Sequence, residues 1–404
     1  MTIRIVNGFC GGRGADGSAC WGARLPGLDR CLAHAGEPAG EAFLSGLAPG
    51  AAVDMSGVPF TEDLLDRLFD AVRGPHADGL PLFGDARIGR ASFAGGVDFS
   101  LVSFAGDVDF RGAAFSGDAD FEGVSFPGDT DFGEAAFSGD ADFREASFAG
   151  NARFNAASFS GGAHFGGTLF SGDADFDMAS FSADADFERV SFAGGAGFRG
   201  AAFSGYAYFA KTSFARNAAF VWARFAGDAT WASCRVVGVL SLDGAVAEGE
   251  VMVEAAAGRV SARGLRSSGR VVLRLRSARV GATGLVCAGP LSVHALSRPI
   301  PGTPDLDGSG GVVVTPLRGV DAESVTLTDV DLSECLFAGL HRADQIHLDG
   351  DCAFATSPGR RRRVLVEEHH WQAQRRTARR GGPGPWRPAH EGVEVVGPRR
   401  IEVI

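Results

Sequence analysis

From Phe93 to Phe225 a phenylalanine recurs at every fifth or sixth position without a miss, 25 times in all, the two spacings alternating in an eleven-residue repeat. Two residues before each one stands Ala, Val or Thr, as in Ala119/Phe121, Val124/Phe126 and Thr130/Phe132. A large and a small residue at i and i−2 share one face of an extended chain, whose side chains alternate with period two. A helix does not suit the pattern: at about 100° per residue, steps of five and six split the phenylalanines into two stripes. Gly-Asp before many of the pairs, as in Ser116-Gly117-Asp118-Ala119-Asp120-Phe121, is turn chemistry. The pattern therefore predicts short extended sides with a corner after every five or six positions. Stacked coils then close the backbone hydrogen bonds that one coil cannot.

These residues resemble the pentapeptide-repeat family, whose motif places Leu or Phe at the centre of each five and a small residue two before it. The resemblance covers about 91 to 254, because Trp231, Val236 and Leu242 continue the rhythm beyond the last phenylalanine of the run, and it returns at Val325/Leu327, Val330/Leu332 and Cys335/Phe337. It implies an all-β solenoid, a right-handed quadrilateral β-helix with both motif residues pointing inward. The departure is one extra residue in every second side, which makes a 22-residue coil where the family motif gives four fives, and leaves the regularity of the corners open. Each buried phenylalanine contributes roughly 1.5–3 kcal/mol before conformational entropy is counted, enough for a stable rod.

Around this core the chain divides into a Cys/His-rich leader (1–50), a linker with a helix (51–90), the regular Phe-rich coils (91–254), less regular coils (255–350) and a basic helix with a tail (351–404). In the linker, Thr61 can cap a helix over about 61–72. Glu62 and Asp63 suit its first turn, and Leu64, Leu65, Leu68, Phe69 and Val72 form one apolar face. Such a helix would cover the open end of the solenoid; the alternative is a partner-binding helix. Residues 255 to 322 keep β-branched runs but lose the strict period, and Pro299 to Gly311 reads as a loop thrown out between coils. Asp305 to Gly310 faintly resembles a calcium loop without its closing glutamate, against a plain solvated loop.

At 404 residues and 45% hydrophobic content the chain can bury a large core, and no run of eighteen apolar residues suggests a membrane span. Its start lacks the apolar segment of a secretory signal, so the expectation is a soluble, cytoplasmic protein with reduced thiols. Cys10, Cys20, Cys31 and His34 then stand out, with spacings C-x9-C-x10-C-x2-H in a glycine-rich stretch. Thiolates and imidazole are the donors that tetrahedral zinc selects, and this stretch has few apolar residues to fold around. The expectation is one structural zinc held by these four; the alternative is unliganded thiols in a flexible leader. Cys234 and Cys335 occupy small inward positions as apolar groups.

Acid is concentrated on the repeat: residues 93 to 230 carry 19 Asp and Glu against 8 Lys and Arg, a net of −11, equal to that of the whole chain. With a 22-residue coil, Asp98, Asp120, Asp142, His164, Asp186 and Tyr208 fall on one edge, and Asp109, Asp131, Arg153 and Asp175 on the opposite one. Asp118 and Asp140 lie beside the first. One reading of such an edge is a soluble face that resists strand pairing and does nothing more. The family resemblance adds a second expectation, since some pentapeptide-repeat proteins imitate duplex DNA and bind type II topoisomerases.

The C-terminal part is basic, with Arg360, Arg361, Arg362, Arg363, Arg375, Arg376, Arg379 and Arg380 against two Glu over 360–380, and it reads as a helix through 361–380. A solvated helix is one reading; attachment to anionic lipid heads, nucleic acid or the acidic coils is another. Larger proteins with a similar leader, repeat and Arg-rich segment continue into a membrane-associated region, so 381–404 is expected to pack poorly. No HExxH, GxSxG or GxxxxGK[ST] motif occurs. The sequence thus points to a nonenzymatic interaction or scaffolding module for an unidentified protein. It names no small-molecule substrate.

Overall fold

The computed structural model describes residues 8–13, 17–74, 79–304, 306, 311–337, 339–356, 363–364, 393–395 and 401–403. It consists of two compact units, Met1–Gly205 and Tyr206–Ile404, each built on parallel β-solenoid coils.

In the first unit, short two-residue sides pair in parallel with the equivalent sides one coil on: Ala119↔Ala141, Ser125↔Ser147, Thr130↔Ala152 and Ala136↔Ser158. Four sides close one coil, so the cross-section is quadrilateral. All the repeat phenylalanines of this unit, Phe93 to Phe203, are buried, together with the small residues two before them except the half-buried Val97. Each ring stacks on the ring one coil away, as Phe143 does on Phe121 at 4.9 Å and on Phe165 at 5.0 Å. Rings of a facing column meet it edge-on: Phe132 and Phe154 each lie 5.3 Å from Phe143, at 83° and 87°. Offset and edge-to-face contacts both suit the ring quadrupole, so the core is filled by one side-chain type without electrostatic conflict.

The extra residue of every second side does not disorder the corners. It makes two kinds of corner that alternate. One has a residue with positive φ at every eleventh position from 112 to 200, filled by Gly112, Gly123, Gly167 and Gly200 but also by Glu134, Glu145, Ala156, Met178 and Arg189. The other holds the Ser-Gly-Asp element, read above as a local turn. There glycine is required by stacking: a Cβ on Gly139 would lie 2.4 Å from Asp118 Oδ1 and 2.6 Å from the Gly117 carbonyl carbon. The aspartate bonds across coils, Asp118 Oδ1 accepting the Asp140 N–H at 2.9 Å and Asp140 Oδ1 accepting that of Gly162 at 2.8 Å. A second ladder runs through Asp85, Asp107, Asp129, Asn151, Asp173 and Gly195. These carboxylates, and the Asn151 amide oxygen, satisfy N–H groups that the corner withdraws from the β ladder.

Coils begin ahead of the phenylalanine run. Ala51–Asp54 pairs with Leu82–Arg87, and Pro59–Phe60 with Ser92–Phe93, so the section read as a linker already contains solenoid sides. Two helices flank and interrupt them. Helix α1 (Glu37–Leu44), which the hydrophobic pattern does not announce, starts at Glu37-Pro38 after Gly36. Helix α2 (Glu62–Ala71) is capped by Thr61, whose Oγ1 accepts the Leu64 N–H. Its Leu64, Leu65, Leu68 and Phe69 are buried, and Phe69 meets Phe83 and Phe99 edge-on at 6.2 and 5.5 Å. It therefore covers the start of the aromatic columns. Arg67 of α2 pairs with Glu41 of α1.

In the second unit, Trp231 takes the place of a phenylalanine and stacks on Phe209 at 5.3 Å. Within the section read as less regular, the coils from 251 to 295 repeat with a shorter period. Val251↔Val271↔Leu291 and Val253↔Leu273↔Val293 are successive partners, each step four fives long. Ala, Val and Leu line this part of the core, and four fives suffice to enclose these smaller side chains. The next pairing, Leu291↔Val325, encloses a longer stretch of chain, and the surplus is the segment around 299–311. That segment is not simply thrown out: Ile300 is buried, and Thr303 Oγ1 donates to the Ser233 carbonyl at 2.7 Å. Of the calcium-like stretch only Leu306 lies within the described residues. Cys234 and Cys335 are fully buried, and burial pushes the Cys234 thiol up to about 12.

Most of the basic C-terminal segment lies outside the described residues. Its one described pair, Arg363–Val364, is extended and antiparallel to Ala355–Thr356, so the helix expected from 361 does not start there. Val393–Val395 pairs with Ile401–Val403 in the stretch expected to pack poorly. Among the described residues no helix is long and apolar enough to cross a membrane.

Candidate metal centre and charged faces

The long C-x9-C spacing is closed by a short hairpin. Phe9↔Ala23 and Arg13↔Ala19 are antiparallel bridges. Between them the Cys10 N–H donates to the Gly22 carbonyl at 2.8 Å and the Cys20 N–H to the Gly12 carbonyl at 3.1 Å. Cys10 and Cys20 thus point from neighbouring strands to one side. Cys31 precedes the 3-10 turn Leu32–His34, which swings His34 back onto the same point. Each hairpin cysteine is followed two residues later by glycine, and both glycines lie against another member of the cluster. A Cβ on Gly12 would be 2.8 Å from the His34 ring, and one on Gly22 would be 2.6 Å from Cys31 Cβ. This Cys-x-Gly pair is the signal that the spacing argument misses.

The donor atoms of Cys10, Cys20, Cys31 and His34 all lie within 4.8 Å of one another. Cys20 and Cys31 sulfurs are 3.8 Å apart, and His34 Nδ1 lies 3.6 Å from Cys10 Sγ and 3.4 Å from Cys31 Sγ. Tetrahedral ligands at zinc bond lengths stand roughly 3.8 Å apart for two sulfurs and 3.6 Å for sulfur and nitrogen. His34 Nε2 lies 3.1 Å from the Arg13 carbonyl, an acceptor, so the proton belongs on Nε2 and Nδ1 is left as a lone-pair donor. The Gly12 and Gly22 N–H groups donate to Cys10 and Cys20 sulfur at 3.2 and 3.4 Å.

The three thiols are unequal. Desolvation acts to raise Cys10, but the N–H donors of Cys31 and Gly12 and the neighbouring thiols outweigh it and hold it below the ordinary value. Burial, then the charges of Cys20 and Cys10, push Cys31 up to about 12. A cation among the sulfurs reverses that penalty, because thiolate is the ligating form. The cluster is a donor set that could hold a metal ion.

Residues 82–125, 121–169, 132–180, 154–202 and 165–213 match the family model for pentapeptide repeats, which finds nine copies in the chain. The chain is a pentapeptide-repeat protein. Neither a curated protein nor a solved structure matches it. Family proteins of this kind are generally nonenzymatic.

On the pentapeptide coils the acidic columns exist as registered neighbours: Asp98↔Asp120↔Asp142↔His164↔Asp186 on one side, Asp109↔Asp131↔Arg153↔Asp175 on another. Their carboxylates also shape the corners that follow. Asp98, Asp109, Asp120, Asp131, Asp142, Asp175 and Asp186 each accept, through Oδ1, the N–H two residues on, at 2.7–2.9 Å. Sequence reasoning assigns these residues a surface role only. Arg144 pairs with Asp142 and Glu122, and Arg153 with Asp129. Asp120, Glu122 and Asp142 also approach one another within 4.8 Å, with Arg144 among them. Of the basic segment, Arg360, Arg361, Arg362, Arg375, Arg376, Arg379 and Arg380 lie outside the described residues, and of Arg363 only the backbone is described.

Proposed function

We propose that this protein is a nonenzymatic interaction module whose leader is closed by a structural zinc ion. What supports the interaction reading is the column Asp98↔Asp120↔Asp142. The coils spend their inward positions on packing and repeat their outward positions in register, one side chain per coil, which makes a flat ladder of chosen side chains. A partner captured on immobilised protein, lost from the Asp98→Asn, Asp120→Asn, Asp142→Asn variant, would support it; capture unchanged by the substitutions would refute it for this face. Asparagine keeps the acceptor oxygen of each corner, so the fold is retained.

For zinc the support is the sulfur and nitrogen spacing. The Ala23 N–H donates to the Ser56 carbonyl, and Met55 and Gly57 N–H groups donate to the carbonyls of Arg87 and Gly89, so the metal hairpin is tied to the first coil. Zinc in this reading seals the start of the solenoid. Purified protein should carry about one zinc per chain, and Cys31→Ser should lose it. Chelation should open trypsin cleavage at Arg13, Arg24 and Arg30 while Arg111 and Arg144 stay resistant.

The same three-coil aspartate column favours a second reading, an acidic imitation of duplex DNA directed at a type II topoisomerase. Inhibition of supercoiling by the intact protein, abolished by neutralising Asp118, Asp120, Asp140 and Asp142 together, is the expected result; no inhibition disposes of it.

A further inference from the structure

Residues 255 to 304 contain eight arginines and no Asp or Glu. On the shorter coils of the second unit four of them, Arg259, Arg263, Arg266 and Arg279, lie about one corner. Arg259 and Arg279 are Cα partners on adjacent strands, both exposed. Arg263 stands at the following corner and Arg266 on the next side, both exposed as well. Like charges directly opposite each other on neighbouring strands destabilise a sheet, and of the two only Arg279 has, among the described residues, an acidic partner to offset it. Three arginines of the section have acidic partners on the surface: Arg270 pairs with Glu250 at 2.6 Å, Arg274 with Glu254 at 3.4 Å, and Arg279, within the edge itself, with Glu334. Among the described residues no ion pair involves Arg259, Arg263 or Arg266.

We infer that this arginine edge docks the acidic face of a second copy of the chain, the face carrying Asp98, Asp120 and Asp142 with Asp118 and Asp140. The inference rests on the interaction reading of that face and names its partner. Two features select a second copy over another polyanion. The charges are opposite, acid concentrated over 93–230 and base over 255–304. The ladders also share one pitch, because Arg259↔Arg279 and Asp98↔Asp120↔Asp142 both advance one residue per coil, about 4.8 Å. Over the two coils of the arginine column, which Val239 and Val313 bound, flat columns of equal pitch align, whereas duplex DNA winds its phosphates around an axis at roughly 3.4 Å per step on each strand. The two faces are different surfaces, so the contact is heterologous and builds rings or open chains.

Sedimentation velocity on the full chain tests this at about 0.02 M and about 0.5 M salt, where the screening length falls from roughly 20 Å to 4 Å. Wild type should at least double its weight-average mass at low salt and be monomeric at high salt. The Arg259→Glu, Arg263→Glu, Arg266→Glu variant should be monomeric at both, as should the Asp98→Lys, Asp120→Lys, Asp142→Lys variant. If the lysines disturb the corners, the corresponding asparagine variant, which retains the acceptors, should still lower the association at least tenfold. Mixed with the asparagine variant, which keeps the arginine edge, the Arg259→Glu, Arg263→Glu, Arg266→Glu variant, which keeps the acidic face, should form a complex limited to two chains. Wild type that stays monomeric at low salt, or association unmoved by the arginine substitutions, overturns the proposal. So does an arginine edge that retains duplex DNA or anionic vesicles while the chain remains monomeric. A monomeric wild type that still captures a foreign partner through Asp98, Asp120 and Asp142 sinks self-association but leaves the interaction reading standing; foreign capture indifferent to those residues sinks the latter.

Discussion

Gly22 and Cys31 approach so closely that a Cβ on residue 22 would lie 2.7 Å from the Cys31 sulfur. The contact forces glycine at this point of the hairpin for reasons of space, since its φ is not positive. Gly22→Ala should push Cys31 out of the cluster, at a cost of about 1–3 kcal/mol for overpacking. Metal content by mass spectrometry should fall well below that of wild type. Gly95→Ala, where a Cβ would meet nothing within 4 Å, is the matched control and should change neither metal content nor stability.

Phe143 has ring neighbours in the coil before, the coil after and the facing column. Phe143→Ala should cost roughly 3–5 kcal/mol in denaturant unfolding, because stacked rings on both sides cannot collapse into the cavity. Phe143→Leu should cost clearly less. Equal effects of the two would mean that the columns are not tightly packed.

Asp118 accepts the Asp140 N–H through Oδ1 across one coil. Asp118→Ala should therefore destabilise by about 1 kcal/mol, while Asp118→Asn, which keeps an oxygen at that position, should be near neutral. If alanine and asparagine behave alike, the cross-coil acceptor is not what that corner uses.

Asp129 and Asp175 should respond to acid in opposite senses. The Asn151 N–H, followed by the amide of Asn151 and the charge of Arg153, holds the Asp129 carboxyl below its ordinary value. A depressed folded value means that its contribution is present above the unfolded value and is lost as pH falls through the folded one. Desolvation raises Asp175, and the Asp177 N–H only partly offsets it. Its charged form is therefore unfavourable to the fold at neutral pH, and that penalty disappears on acidification. Melting curves at neutral and acid pH should show Asp129→Asn destabilising chiefly at neutral pH and Asp175→Asn neutral or stabilising there; the reverse order would contradict both assignments.

What was legible in the chain followed from local periodicity. The Phe/small alternation announced inward columns because an extended strand puts i and i−2 on one face whatever lies around it. The 22-residue coil places Asp98 beside Asp120 by sequence alone, since register in a stacked coil is only arithmetic. The shorter period was also present, in Gly249, Gly269 and Gly289, but Ala and Val carry a weaker signal than Phe and the section looked irregular.

Only the tertiary structure decided what depends on approach between distant segments. That Cys10, Cys20, Cys31 and His34 share one point rests on a hairpin held by Gly12 and Gly22, and no spacing rule contains the missing Cβ atoms. Ser-Gly-Asp read alone is a turn; its carboxylate bonds to an N–H one whole coil away, because the corner leaves that donor unpaired. Pairing of Arg259 with Arg279 likewise needed the coil length of the second unit, four plain fives without the extra residues of the first, which the volume of the enclosed side chains sets. Sequence determined which residues face inward, because that is a property of one strand, whereas structure decided which outward residues meet, because that depends on how much core each coil must enclose.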